Sequence, residues 1–402
     1  MKPLKSLISW EEGKKLLFSH LHPVEEKERV PLKRANQRVL AEDIVASFNV
    51  PPFNRAAMDG YAVRAEDTYP AKSMNPVRLK VKDFLPPGKF SKAQVRKGEC
   101  IQIATGSPLP RGADAVVMVE DTEMEEGVVK IYRPVYPGAN VSLAGEDIKR
   151  GEKVGRVEDF LTPAKIGVLA ALGKEEVEVF VKPRVIIMSS GEEIVSPGEP
   201  LQEGKIYDVN SFTLSALVEE NGCEAILGPR LRDEIDHVIQ KLRKALSADL
   251  VIISGGSSVG EKDLIKEALS RMGEILFHGL AVKPGKPTLA SIVEGKLVLG
   301  MPGYPTSCLT NGYGLLIPLL RRLARLPRKK EVVVKLSLSR RVTSTIGRHQ
   351  FLPVRIEENQ AVPVFKESGA ITSMSQAQGY IEIPATVDLL EKGDEVKVKL
   401  FF

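Results

Sequence analysis

From Pro183 to Leu323 the chain alternates short unbroken apolar runs with longer segments of helical spacing. Arg184-Val-Ile-Ile-Met188, Glu224-Ala-Ile-Leu227 and Leu250-Val-Ile-Ile-Ser254 have strand length and few polar interruptions. Such runs suit strands buried on both faces of a parallel sheet. Between them, Asn210 is placed to cap a helix that Asn221-Gly222 closes, and Asp233 opens another running towards Ala248. Asp263 begins the next helix, two more short strands follow, and a last helix starts near Thr306. The alternation predicts a doubly wound parallel sheet with right-handed crossovers and helices on both faces.

The flanking segments carry other patterns. Ser9 followed by Glu12 reads as a capping box opening a helix through Leu17 and Phe18. Residues 50–145 are rich in Pro, Gly and short runs such as Ala115-Val-Val-Met-Val119 and Val128-Val-Lys-Ile-Tyr132, which predict a small β-rich domain. A helix from Pro163 to Leu172 precedes Glu176-Val-Glu-Val-Phe-Val181, and Val332–Leu338 and Asp394–Leu400 predict a terminal β domain. The expected organisation is α/β plus β. It has a helical, linking domain from 1–48 and 146–180, and a β-rich insertion at 49–145. An α/β domain at 181–328 and a β domain at 329–402 complete it.

Composition narrows the class. The 402 residues are 43% hydrophobic and 27% charged, as in soluble globular proteins. A formal charge of +5 of mixed sign, with no basic stretch interleaved with aromatics, does not call for nucleic acid. The amino terminus has no long apolar core, so no signal peptide or membrane span is expected and the location expected is cytoplasmic. Cys100, Cys223 and Cys308 are odd in number and far apart, which argues against a disulfide framework or zinc site. The five histidines suggest no metal centre, since His20 and His22 have the wrong spacing for one helix face.

Candidate chemistry gathers in three glycine-rich turns that follow apolar runs. They are Leu250-Val-Ile-Ile-Ser-Gly-Gly-Ser-Ser-Val-Gly260, Val282-Lys-Pro-Gly-Lys-Pro287 and Leu297-Val-Leu-Gly-Met-Pro-Gly-Tyr-Pro305. Turns without side chains let backbone N–H groups approach an anion, a following helix adds its dipole, and Lys283 and Lys286 add charge. An anionic, phosphorylated ligand is expected. Gly260 is followed by Glu261-Lys262, so the loop is not a Walker A motif, and Gly255–Gly260 does not form G-x-G-x-x-G. Glu193 and Asp263 fall at the same predicted edge, where carboxylates beside phosphate imply Mg²⁺. Asp233 also reads as a helix cap, and Asp59 stands in an apolar loop with little reason to hold a charge. Ser307, Arg348 and Ser373 supply the mixture of cationic and neutral donors that a tetrahedral oxyanion needs.

Several longer motifs make the chain resemble the molybdopterin molybdenumtransferases, of which the gephyrin carboxyl-terminal region is an animal relative. They include Pro52-Phe-Asn-Arg-Ala-Ala-Met-Asp-Gly-Tyr-Ala-Val63, Ile103-Ala-Thr-Gly-Ser-Pro-Leu-Pro-Arg-Gly-Ala-Asp-Ala-Val-Val117 and Gly145-Glu-Asp147. Ser190-Gly-Glu-Glu193, Ile206-Tyr-Asp-Val-Asn210, the glycine turns and Gly347-Arg-His-Gln-Phe351 complete the set in family order. The resemblance implies that the central sheet domain binds molybdopterin and that the substrate is adenylylated molybdopterin. Molybdate or tungstate is inserted with Mg²⁺ present and AMP is released. It further implies a homodimer whose active sites are shared between subunits, and it admits contact with the molybdopterin adenylyltransferase.

By position, the resemblance makes Asp59, Thr105, Glu193, Asp233, Asp263 and Lys283 the catalytic set, with Glu193 and Asp263 on the metal. It assigns substrate contacts to Gly255, Gly256, Ser257, Ser258, Gly285, Lys286, Pro302, Gly303, Pro305, Ser307, Arg348 and Ser373. The chain departs from the usual pattern in Gly-Gly-Ser-Ser, in Glu192 and in Tyr304, which puts a ring where a small amide is common. Two other readings are the adenylyltransferase of the same pathway and a non-catalytic scaffold. The first needs neither β-rich segment, and the second needs no intact set of carboxylates and lysines.

Overall fold

The structure, a computed structural model, describes residues 7–255, 263–366 and 369–401. The first helix, α1 (Trp10–His20), starts as its sequence predicts, with the Glu12 N–H donating to Ser9 Oγ at 3.2 Å. The chain divides into two compact units. One holds 29–36 and 40–178, and the other holds α1 with 37–39 and 179–402.

The unit of 29–36 and 40–178 is built on one six-stranded sheet. Its strands are β1 (Gly60–Val63), β2 (Val77–Leu85), β3 (Glu99–Ile103), β4 (Ala115–Met118), β5 (Thr122–Glu125) and β6 (Val128–Ile131), in the order β4-β1-β3-β2-β6-β5. Alternate side chains separate two small cores. Tyr61 and Val63 join Val117, Val129 and Ile131 on one side, while Ala62, Ile101, Ile103 and Val116 pack on the other. Helix α2 (Pro163–Ala171) begins with proline at its first turn and is capped by Thr162.

The other unit contains the predicted α/β pattern: β7 (Arg184–Ser189), α3 (Asn210–Glu220), β8 (Glu224–Leu227), α4 (Ile235–Ala245), β9 (Leu250–Ser254) and α5 (Leu264–Met272). It continues with β10 (Glu274–His278), β11 (Val282–Lys283), β12 (Leu289–Val293), β13 (Lys296–Met301), α6 (Pro305–Asn311) and α7 (Ile317–Leu323). The sheet order is β8-β7-β9-β13-β12-β10. Leu250 and Ile252 face a core shared with Leu214, Val218, Leu316 and Leu320, whereas Val251 and Ile253 face Val238, Leu242, Ile265 and Leu269. Helices therefore cover both faces, as double winding requires. Trp10 and Leu17 of α1 join the first of these cores.

The sheet is not parallel throughout. Strands β8, β7, β9 and β13 run together, but β12 is antiparallel to β13 and β10 is antiparallel to β12. The reason is local. Glu294 and Gly295, at φ +50° and +76°, form a two-residue hairpin turn between Val293 and Lys296. Residues 274–301 also hold four strands, β10 to β13, where the sequence pattern predicts two. Two helix starts differ as well. Asp208 rather than Asn210 caps α3, bonding the N–H and hydroxyl of Ser211 at 2.9 and 2.7 Å. Asp233 does not open α4, which begins after Glu234 with no side-chain cap.

The terminal β segment closes into a barrel. Its strands are β14 (Val333–Leu338), β15 (His349–Glu357), β16 (Gln360–Pro363), β17 (Gly379–Ile383) and β18 (Glu395–Leu400), with the short helix α8 (Thr372–Ser375) before β17. The order β15-β16-β14-β18-β17 closes through a β15–β17 pairing around Leu338, Val354, Ala361 and Val398. Strand β11 of the preceding segment adds to β15, pairing Val282 with His349 and Lys283 with Gln350.

Candidate active site at the strand ends

The carboxyl ends of β7, β9 and β13 converge as the sequence predicts. The Gly255 N–H donates to the Met301 carbonyl at 3.2 Å, so this amide serves the sheet. A Cβ on Gly303 would lie 3.4 Å from Gly255 Cα, which places the two turns side by side. Asn210 ties them together. Its buried amide donates to Ser254 Oγ at 2.7 Å and to the Gly303 carbonyl at 2.8 Å, and it approaches the Pro302 carbonyl at 3.5 Å. Gly256, Ser257 and Ser258 lie outside the described residues.

The lysine turn is held from below by Asn311. Gly285 takes φ +107°, and a side chain there would meet the Asn311 amide at 2.5 Å. Asn311 Nδ2 instead donates to the Gly285 carbonyl at 3.2 Å and to Thr288 Oγ1 at 2.8 Å. Lys283 Nζ reaches Thr345 Oγ1 at 3.5 Å, in the loop that carries Arg348. Neither Lys286 nor Arg348 forms an ion pair with a carboxylate among the described residues, so both are free to serve an anion. Pro305 opens α6, and Ser307 is buried in its first turn. Ser373 is fully buried in α8, and its Oγ accepts from the Lys366 N–H at 3.1 Å. Thr306 Oγ1 donates to the Ala370 carbonyl at 2.8 Å, which joins α6 to the loop before α8.

Carboxylates approach the same edge. Gly191, at φ +134°, leaves space for the Glu193 side chain, because a Cβ there would lie 2.6 Å from its Oε2. The Leu231 N–H donates to the Ser189 carbonyl at 2.8 Å and lays the Asp233 loop beside the Glu193 turn. Burial, and then the charges of Glu192 and Glu193, push the Asp233 carboxyl above its ordinary value. Asp263 does cap α5, with Oδ1 accepting from the Lys266 N–H at 3.0 Å. Its other oxygen, Oδ2, is buried and has no hydrogen-bond partner. An acidic group with an unused, buried oxygen suits a hard cation such as Mg²⁺.

Asp59 and Thr105 meet in the other unit. Asp59 Oδ1 accepts from the Thr105 N–H at 2.7 Å and from its hydroxyl at 2.9 Å. These two bonds, the backbone one foremost, hold the Asp59 carboxyl below its ordinary value. Both residues are exposed. The pairing explains why an apolar loop carries this charge.

Comparison with known proteins fits this arrangement along the whole chain. Residues 8–173 match the family model for the MoeA N-terminal region (domain I and II), 186–322 match that for a probable molybdopterin binding domain, and 335–401 match that for the MoeA C-terminal region (domain IV). Molybdopterin molybdenumtransferase 2 of Mycobacterium tuberculosis is 35% identical over 380 residues, covering 92% of this chain and 94% of its own. The chain belongs to the molybdopterin molybdenumtransferase family. A putative molybdopterin biosynthesis protein of Methanocaldococcus jannaschii is 34% identical over the full length of both chains. A crystal structure of the molybdopterin biosynthesis MoeA protein from Pyrococcus horikosii aligns with a TM-score of 0.86 and 42% identity, covering 99% of this chain and 100% of that one.

Against the molybdopterin molybdenumtransferase pattern, two residues stand out. Tyr304 is 66% exposed, and a Cβ on Gly369 would touch its ring at 3.5 Å, so the ring lies against the loop before α8. His278 drew no attention in the sequence, where it is one histidine in a short apolar strand. The structure sets its Nε2 3.1 Å from Asp263 Oδ2. Strand β10 follows α5 through Gly273 and runs back along it, so that His278 at its end comes beside the α5 cap.

Proposed function

We propose that this protein is a molybdopterin molybdenumtransferase that inserts molybdate, or tungstate, into adenylylated molybdopterin and releases AMP. The observation that supports this reading is that the end of β10 adjoins both the lysine turn and Asp263 in a chain of this family: the Leu280 N–H donates to the Lys286 carbonyl at 3.0 Å, and His278 Nε2 lies 3.1 Å from Asp263 Oδ2. Lys283 is placed to neutralise phosphoanhydride charge, and Lys286, Arg348 and the Ser307 hydroxyl are suited to receive the oxyanion. Asp263 and Glu193 would hold Mg²⁺, which when bound supplies charge neutralisation on phosphate oxygens. Frequent Lys and Glu, as in Lys174-Glu-Glu-Val-Glu178, suit a heat-adapted source in which tungstate use is reasonable.

The active unit in this reading is a cytoplasmic homodimer. Asp59 and Thr105 of one copy complete the strand-end site of the other, and the adenylyltransferase would supply the substrate. Purified protein incubated with adenylylated molybdopterin, Mg²⁺ and molybdate should release AMP as metal enters the pterin. Asp263→Ala should stop that release while the fold persists. A wild-type protein that binds the pterin yet never releases AMP would favour the scaffold reading instead.

A further inference from the structure

Tyr304 presents an open ring on a turn whose backbone is fixed. The Gly303 carbonyl accepts from the buried Asn210 amide at 2.8 Å, and the Tyr304 carbonyl accepts from the Cys308 N–H at 2.9 Å. Pro302, Thr306 and Ser307 are buried around it, yet Tyr304 itself is 66% exposed. On one side its ring meets the loop before α8, where a Cβ on Gly369 would lie 3.5 Å from Cδ1 and 3.8 Å from Cε1. That loop is held in turn, since the Ala370 carbonyl accepts from Thr306 Oγ1 at 2.8 Å. Among the described residues the Tyr304 side chain has no hydrogen bond and no aromatic partner.

A lone exposed tyrosine is ordinary on a protein surface. This one differs in where it stands. Gly303 precedes it, and a Cβ there would lie 3.4 Å from Gly255 Cα, so the ring follows directly on the meeting of two glycine turns. Ser307 comes one turn later on α6. Lys283, Lys286, Arg348 and Ser307 offer charge and donors, but none of them offers a flat apolar face. A pocket for a ligand with a planar ring needs such a face beside its polar groups. An aromatic side chain supplies it, because every base has a π-face to stack on. With its backbone held, Tyr304 has only two side-chain torsions to fix, so ordering it costs little.

We propose that Tyr304 stacks on a planar nitrogen heterocycle of the bound substrate, the pterin or the adenine, and fixes its orientation at the strand ends. This rests on the reading of that edge as the site for adenylylated molybdopterin, and it adds a binding residue to it. A small amide at this position has no ring to stack. The contact therefore belongs to chains that carry an aromatic residue here.

The test titrates the full-length protein calorimetrically with two probes in turn, AMP and molybdopterin, so that no turnover is required. Tyr304→Phe should bind both as the wild type does. Tyr304→Leu, which is apolar but not aromatic, should bind the stacked probe about tenfold more weakly, the scale of one lost base–aromatic contact. A loss confined to AMP assigns the ring to the adenine, and a loss confined to molybdopterin assigns it to the pterin. Both variants should keep the wild-type denaturation midpoint, because the side chain is mostly exposed. Unchanged binding of both probes by Tyr304→Leu would overturn the stacking and leave the strand-end site in place. So would an equal loss for both probes, which marks a general disturbance, or an equal loss in Tyr304→Phe, which assigns the contact to the hydroxyl. A wild-type protein that bound neither probe would overturn the reading of the site itself.

Discussion

Asp59 takes two hydrogen bonds on a single oxygen from Thr105, one from the backbone and one from the hydroxyl, at 2.7 and 2.9 Å. The other oxygen of Asp59 is left for a partner. Because the bonds favour the ionised form, Asp59 contributes stability that is present above its unfolded pKa and lost as pH falls through its depressed folded value. Thr105→Val keeps the backbone bond and removes the other. The Asp59 pKa should then rise part of the way to its ordinary value, as followed by NMR titration of the carboxyl carbon.

The proposal that two subunits share each active site makes a stronger demand. Asp59→Ala and Asp263→Ala homodimers should each be inactive, and a mixture allowed to exchange subunits should recover activity. With random exchange about half the dimers are mixed, and half the sites in those are intact, giving roughly a quarter of wild-type activity by two-fold symmetry. No recovery despite demonstrated exchange would place the whole site within one chain.

In the proposed reading Lys286 serves the oxyanion rather than the nucleotide. Its ammonium has no carboxylate partner among the described residues, and the Lys286 turn is held open by Asn311 beneath Gly285. Lys286→Ala should raise the molybdate concentration needed for half-maximal rate much more than it weakens binding of the adenylylated pterin. The opposite pattern, measured by titration of each ligand, assigns this lysine to the nucleotide.

Gly285→Ala should be destabilising whether or not ligand is present. A methyl group must enter at φ +107° and displace the Asn311 amide. The strain expected is about 1–3 kcal/mol, read as a lower denaturation midpoint with unchanged slope. A neutral outcome would show that the lysine turn can be rebuilt without its glycine.

Asp233 carries a pH signature of the opposite sign to Asp59. Its folded pKa is raised by burial and by Glu192 and Glu193, so the fold opposes its ionisation. Stability should therefore fall as pH climbs from the unfolded carboxylate range through the raised folded value. Asp233→Asn should remove that decline, and a divalent cation should reduce it in the wild type. Denaturant titrations across that range, with and without Mg²⁺, check both.

Short-range pattern was enough to determine much of this protein. The Ser9 cap and the runs at Arg184–Ser189, Glu224–Leu227 and Leu250–Ser254 are all local signals, so the sequence alone places them. Double winding also follows, because residues such as Ile252 and Ile253 are apolar on both faces of one strand. What depended on distant partners could not be read in that way. An apolar run such as Leu289–Val293 has no direction of its own, and the two-residue turn at Glu294-Gly295 reversed it. Asn210 looked like a cap, yet Asp208 took the helix end and Asn210 became the tie between Ser254 and Gly303. Local propensity is a property of neighbouring residues, whereas a side chain's partner is chosen by packing across the whole sheet.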